Sequence, residues 1–450
     1  MLRTQRALLV VALAMLGGCR AQPGMHGSLV IAGGATSPNN ADIYGAFMAP
    51  LAGRPDAVIG VLPTASGVPK ESASSSAQTL RRYAGEHDVR IIDLTTANAI
   101  DASNPDVVKQ IDACDAIWFT GGDQSRIVET FRPRIAAAAG DAAIDESDSA
   151  SPPGAAPGDE GRVVFPRPLP SGTAGRADTI AYRALRSILE RGGVIGGTSA
   201  GAAMMSDPMI LGGRSDDALL GTTRENSGES RFAVGEGMGF FPFGLTDQHF
   251  LRRGRLGRLV AALEIAGVAR GYGVEENAAI AVDLESGVIR VIGQNAQDAA
   301  DGSVRRRGAA VLVDISGVTR DGVARRGVRV SLLQAGDAVD GRTGRVAPLP
   351  RKMVVTIRKG PREDARYVMP RDERDAWSAG AVPAALHRLA EHPDTPVVLR
   401  SARFDLRFTA DLGTAIHSGA GGAADDAPTI VGARLDITPR DLGAGSTSTQ

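Results

Sequence analysis

The run Gly192-Gly193-Val194-Ile195-Gly196-Gly197-Thr198-Ser199-Ala200-Gly201-Ala202-Ala203-Met204-Met205 decides the fold. A helical segment over residues 179–191 ends at Gly192-Gly193, and Val194-Ile195 read as a short buried strand. The turn Gly197-Thr198-Ser199-Ala200-Gly201 and a small-residue helix follow. Gly-x-Ser-x-Gly between a strand and a helix is the setting of a nucleophilic serine. The tight turn pushes the Ser199 hydroxyl out of the sheet, and glycines beside it let neighbouring backbone approach without a Cβ clash. The helix that begins at Ala200 aims its first N–H groups at any oxyanion formed there. Such a turn can also be plain structure or a phosphate loop. No Lys-Ser/Thr follows, which disfavours a Walker-type loop.

Outward from this run, strands alternate with helices. Residues 28–34, 57–62, 89–94 and 115–120 read as buried strands, and residues 72–87 and 104–114 as helices between them. That alternation predicts an α/β fold with a mostly parallel sheet covered by helices on both faces. The fourth strand enters Gly121-Gly122-Asp123-Gln124, and residues 125–139 read as the next helix. Loops at the C-terminal ends of parallel strands carry the sites of such sheets. Gly122 can therefore lend an N–H to the oxyanion of Ser199 and Gln124 can face substrate, or the turn simply caps a helix. Further strands are expected over 271–282, 288–292, 309–314 and 329–333. Short alternating runs at 354–357 and 404–408, with a helix at 383–392, make a β-rich extension.

The chain has 450 residues, room for one large α/β domain and an added segment. A net charge of -1 gives no pull towards nucleic acid or anionic membrane. The start is a targeting segment: Arg3 and Arg6 precede an apolar run, residues 7–16, too short to span a bilayer. It closes on Leu16-Gly17-Gly18-Cys19, which resembles a bacterial lipobox with Cys19 as the lipidated residue. Arginine rather than aspartate at position 20 favours the outer membrane, facing the periplasm or the exterior. Cys114, the other cysteine, is expected to be a small buried residue.

A serine nucleophile needs a base and a group that orients the base. Of the 6 histidines, His249 alone lies in a dense polar cluster of the α/β core, Asp247-Gln248-His249-Phe250. Asp216 and Asp217, between serine and histidine in chain order, are the candidate orienting carboxylates. Residue physics does not choose between them. Arg252, Arg253, Arg255 and Arg258 follow the histidine. Guanidinium forks bind carboxylates bidentately, so the cluster suggests a substrate rich in carboxylates.

These residues resemble cyanophycinase, a serine peptidase related to peptidase E. The matching motifs are Gly121-Gly122-Asp123-Gln124, residues 197–202, Asp247-Gln248-His249-Phe250 with Arg253-Gly254-Arg255-Leu256-Gly257-Arg258-Leu259, and Gly271-Tyr272-Gly273-Val274-Glu275-Glu276. Residues 327–337 look like the family's last core strand. The resemblance implies a class I glutamine amidotransferase-like fold and exopeptidase action on cyanophycin, a poly-aspartate carrying arginine on each side chain. The implied product is the β-Asp-Arg dipeptide. It further implies Ser199 as nucleophile, His249 as base and Asp216 where the family carries Glu, with Asp217 still a candidate. Gln124, Asp247, Gln248, Arg253, Arg255 and Arg258 match substrate-pocket positions. Neither metal nor other cofactor is implied. Asp123 stands where the family has Asn.

The expected organisation is a lipoprotein signal (1–18), a tether (19–27), the peptidase domain (28–347) with a flexible insertion (140–176), an extension (348–418) and a disordered tail (419–450). Expected partners are the substrate and, through Cys19, a membrane, with a homodimer as the compatible assembly. Two rival functions are a peptidase E-like hydrolase of short aspartyl peptides and a non-catalytic surface binder on the same fold.

Overall fold

The computed structural model describes residues 24–135, 175–221, 231–293, 309–350, 352–355, 357, 361–362, 366–369, 375–419 and 427–440. The signal segment, Cys19 and nearly all of the 140–176 insertion lie outside the described residues.

Five strands form the parallel heart of a nine-stranded sheet: β1 (Ser28–Ala32), β2 (Val58–Leu62), β3 (Asp88–Ile91), β4 (Ala116–Phe119) and β5 (Val194–Thr198). Their order is β1-β5-β4-β2-β3. Val194-Ile195-Gly196-Gly197 sits between β1 and β4, buried on both faces, which suits a near-continuous apolar run. Side chains alternate as the pleat requires: Ile117 and Phe119 join one core while Trp118 joins the other. On the Trp118 face, Ile43, Tyr44 and Phe47 of α1 (Ala41–Met48) pack with Ala77 and Leu80 of α2 (Pro69–Arg81). The opposite face is covered by Ile111 of α3 (Pro105–Asp112), Ile127 and Phe131 of α4 (Gln124–Phe131), and Leu185, Ile188 and Leu189 of α5 (Ile180–Glu190). Cys114 is buried, and burial pushes its thiol up to about 12.

The sheet is mixed rather than mostly parallel. Beyond β1 it continues antiparallel through Ala278–Asp283, Val288–Gly293, Ala338–Asp340 and Val346–Ala347. The reason lies at Asn277, whose positive φ of 55° breaks the run expected at 271–282 into two strands. Arg270–Val274 goes to a second sheet, Ala278–Asp283 to the first.

That second, eleven-stranded sheet joins Leu245–Asp247 and Arg270–Val274 to Ala309–Asp314, Ala324–Gln334 and the late strands Phe404–Thr409 and Thr429–Pro439. The last of these corrects the expectation of a disordered tail from 419 onward. Thr429–Pro439 intersperses buried Ile430, Ala433, Leu435 and Ile437 with half-buried positions and pairs with Ala324–Gln334 on one side and Phe404–Thr409 on the other. The helix α6 (Ala200–Ala203) joins the first sheet's core through Ala200 and Ala202. A second apolar cluster unites the strands of the eleven-stranded sheet with Leu219 of α7 (Ser215–Leu220), Leu256 and Leu259 of α8 (Leu256–Ala266), and Leu386 and Leu389 of α9 (Ala381–Glu391).

Candidate active site

Three loops converge on the C-terminal ends of β1 and β5. The first is the serine turn. Ser199 has φ 56° and ψ -107°, a sparsely populated conformation that costs on the order of 1–3 kcal/mol for a residue with a side chain. The surroundings hold it there: Ser199 N–H donates to Ala32 O at 3.0 Å, tying the turn to β1. A Cβ on Gly197 would sit 2.6 Å from Gly201 O, so the chain can double back this tightly only with glycine. Ala200 opens α6, and at four residues that helix contributes local N–H groups rather than a large dipole.

The second loop carries His249. Its φ is 47°, and its N–H donates to Gly33 O at 2.7 Å. The imidazole lies against Gly34, where an added Cβ would meet His249 Cε1 at 2.3 Å. His249 Nε2 is 2.9 Å from Ser199 Oγ. Burial holds the imidazole below its ordinary pKa, Arg253 and Arg255 add to that, and the hydrogen bond it donates to Glu276 opposes it. A neutral base at neutral pH is the result.

The third loop supplies the carboxylate. Glu276 Oε1 is 2.6 Å from His249 Nδ1. Its neighbour Glu275 turns the other way and accepts N–H bonds from Leu251 at 2.5 Å and Arg252 at 2.9 Å, which fixes the histidine loop from beneath. Asn277 anchors the loop to β1: its N–H donates to Gly34 O at 2.8 Å, and its side chain accepts from Ser37 N–H and Asn40 Nδ2.

The orienting carboxylate at His249 is therefore Glu276, not Asp216 or Asp217. Asp216 Oδ1 accepts from Trp377 Nε1 at 2.6 Å and from Ser401 Oγ at 3.1 Å, on the far side of the arginine turn. Asp217 is buried within α7. The motif ending in Glu275-Glu276 carries this carboxylate, and chain order between serine and histidine does not point to it. A pair of carboxylates directly after a strand of the core is the signal that would have found it.

The expected substrate residues divide. Arg258 pairs with Asp247 through Nε at 2.8 Å and through Nη2, and its Nη1 donates to Gly213 O at 3.1 Å. Both side chains are nearly inaccessible, 4% and 1%. Arg255 donates through one nitrogen to Gln248 O and Oε1, each at 2.5 Å. Gln124 spends its amide on Ile210 O and Leu211 O, at 2.9 and 3.0 Å. These groups are held by the protein's own atoms and do not line the cleft beside Ser199. Arg253 remains exposed and near enough to His249 to depress its pKa. Asp123 caps α4 by accepting from Ser125 N–H at 2.9 Å. Gly121 lies against Ser199, 3.4 Å separating its would-be Cβ from Ser199 Cβ, so the Gly121-Gly122 turn borders the serine.

A cleft of about 330 Å³ opens beside the serine. Ser199, His249 and Gly121 form one side; Thr36, Ser75, Ser76, Thr79 and Thr198 bring hydroxyls, with Tyr44 and Trp118 behind. Thr36 and Thr198 bond each other at 2.9 Å.

No family model matches the chain. The cyanophycinase of Synechococcus elongatus is 26% identical over 304 residues, covering 66% of this chain and 73% of that protein. The cyanophycinase of Geminocystis herdmanii is 27% identical over 275 residues, covering 61% of this chain and 80% of its own. Among solved structures, a peptidase from an acI-B1 actinobacterium aligns with 71% of this chain and 98% of its own at a TM-score of 0.43 and 15% identity. Over 66% of its length, with its serine, histidine and glutamate loops gathered at one cleft, the chain is similar to cyanophycinases.

Proposed function

We propose that the protein is a serine-type peptidase of the cell envelope that hydrolyses cyanophycin to β-Asp-Arg dipeptides. The observation that carries the proposal is the relay from Ser199 Oγ to His249 Nε2 at 2.9 Å and from His249 Nδ1 to Glu276 Oε1 at 2.6 Å. Similarity to cyanophycinases supports the choice of substrate.

Ser199 Oγ attacks the scissile carbonyl while His249 Nε2 takes its proton. Glu276 accepts the Nδ1–H bond, keeps the imidazole in the tautomer that presents a lone pair to serine, and stabilises the imidazolium. The N–H groups of Gly122 and Ala200 hold the oxyanion. Collapse returns the proton to the leaving amine and leaves an acyl-enzyme on Ser199, which water opens by the same steps in reverse order of proton transfer. Arg253 binds a substrate carboxylate, because its guanidinium is the exposed one next to the imidazole. Export and lipid anchoring at Cys19 complete the reading.

Release of β-Asp-Arg from purified cyanophycin tests the activity, and the Ser199→Ala variant tests the route. The anchor is tested by radiolabelled palmitate incorporation into the full chain and into Cys19→Ala.

A further inference from the structure

The late segment around Trp377 touches the active site through one turn. Residues 249–255 form a tight loop: Arg253 N–H donates to His249 O at 3.0 Å, and Arg255 N–H to Phe250 O at 2.9 Å. Gly254 sits at its tip with φ 57°. A Cβ at Gly254 would lie 2.0 Å from Trp377 O, and one at Gly257 would lie 2.9 Å from the edge of the Trp377 ring. Trp377 thus covers the tip of the loop with its backbone and the start of α8 with its indole.

Trp377 is itself held from below. Its Nε1–H donates to Asp216 Oδ1 at 2.6 Å, and Ser401 Oγ donates to the same oxygen at 3.1 Å. Ser215, next to Asp216, donates through Oγ to Gly254 O at 2.6 Å and accepts from Arg258 N–H at 3.2 Å. The N-terminus of α7 therefore grips the arginine loop directly through Ser215 and indirectly through Asp216 and Trp377. The histidine has anchors of its own in Gly33 O and Glu276. Arg253, on the solvent side, has its position set by the loop that Trp377 closes.

We propose that Trp377 and Asp216 form a clamp that positions Arg253 for the substrate's carboxylate, making the segment after residue 347 part of the specificity apparatus. This rests on the reading of Arg253 as a substrate anchor. Trp377 and Asp216 are positioning residues and touch no reacting atom.

The test is steady-state kinetics on cyanophycin for the full chain and four variants. Trp377→Phe keeps an aromatic ring over Gly257 but loses the N–H to Asp216, and Asp216→Ala removes the acceptor. Each is expected to raise KM by about tenfold with kcat within about twofold of the parent. Asp216→Asn, whose side-chain oxygen still accepts from the indole, is expected to restore the parent KM. Labelling of Ser199 by a small fluorophosphonate, which needs serine and histidine but no carboxylate anchor, is expected to proceed at the parent rate in the Trp377 and Asp216 variants. Arg253→Ala separates the two layers of the proposal. If it leaves KM unchanged, the anchor reading fails. If it raises KM while Trp377→Phe and Asp216→Ala do not, the clamp is overturned. Slowed labelling in the clamp variants would also overturn it, since damage would then have reached the serine–histidine pair.

Discussion

Glu276 Oε1 stands 2.6 Å from His249 Nδ1, although the two residues come from different loops and Glu276 follows the histidine in the chain. The carboxylate that orients the base is delivered by the strand Arg270–Val274, which pairs in parallel with Leu245–Asp247 just before the histidine. Two neighbouring strands thus present base and carboxylate from their C-terminal ends.

Replacement of Glu276 by Gln is the first expectation from that geometry. The amide keeps the shape but favours the wrong imidazole tautomer, so kcat should fall by about 10³-fold or more. Asp216→Asn should leave kcat near the parent value, because its oxygen serves an indole and a serine. Steady-state rates on cyanophycin decide the pair; equal losses in both variants would put the triad in doubt.

The pH dependence follows from the burial of His249. Its pKa in the folded protein lies below the ordinary 6.5, and the base works only when neutral. Activity should therefore persist as pH falls through 6.5 and decline only below it. The groups facing the ring are Glu276, which raises its pKa, and Arg253 and Arg255, which lower it. Arg253→Ala removes one lowering charge, so the acidic limb of kcat/KM should move upward. The same depressed pKa contributes stability that is present above 6.5 and is lost as pH falls through the folded value.

Packing of the imidazole on Gly34 yields a third expectation. Alanine there would place a methyl 2.3 Å from His249 Cε1 at a φ of 107°, so the ring or β1's exit must move. A displacement of about 1 Å in a catalytic group costs on the order of 10²-fold in rate. Gly34→Ala should lower kcat by about that factor while circular dichroism reports an intact fold.

Asp247 and Arg258 should behave as structure. Both are buried and paired, so Asp247→Ala strands a guanidinium in the interior at a cost of about 3–5 kcal/mol. Thermal unfolding of the purified variant measures it. An unchanged Tm would return the pair to the list of substrate groups.

Much of this was legible in sequence. Val194-Ile195 between glycines, followed by Ser199 and a small-residue helix, forces a buried strand and a serine turn through local sterics, and the structure has both. His249 emerged by elimination among 6 histidines. The third partner was hidden because contact between loops depends on which strands pair, and sequence separation carries no such information. Asn277, which splits one expected strand between two sheets, was invisible for the same reason: its positive φ answers to bonds from Ser37 and Asn40, some 240 positions away. The strand Thr429–Pro439 was masked by the Gly-, Ala- and Thr-rich residues around it, although Ile430, Leu435 and Ile437 carry an alternating apolar face.

Every role proposed for the site depends on Ser199 acting as the nucleophile of a cyanophycin-degrading peptidase. Chromatographic measurement of β-Asp-Arg released from cyanophycin by the parent chain and by Ser199→Ala tests it most directly. Steady dipeptide release by the parent and a loss of about 10³-fold or more in the variant are expected. Release by the variant at the parent rate, or no release by the parent alongside cleavage of short Asp-X dipeptides, would contradict it.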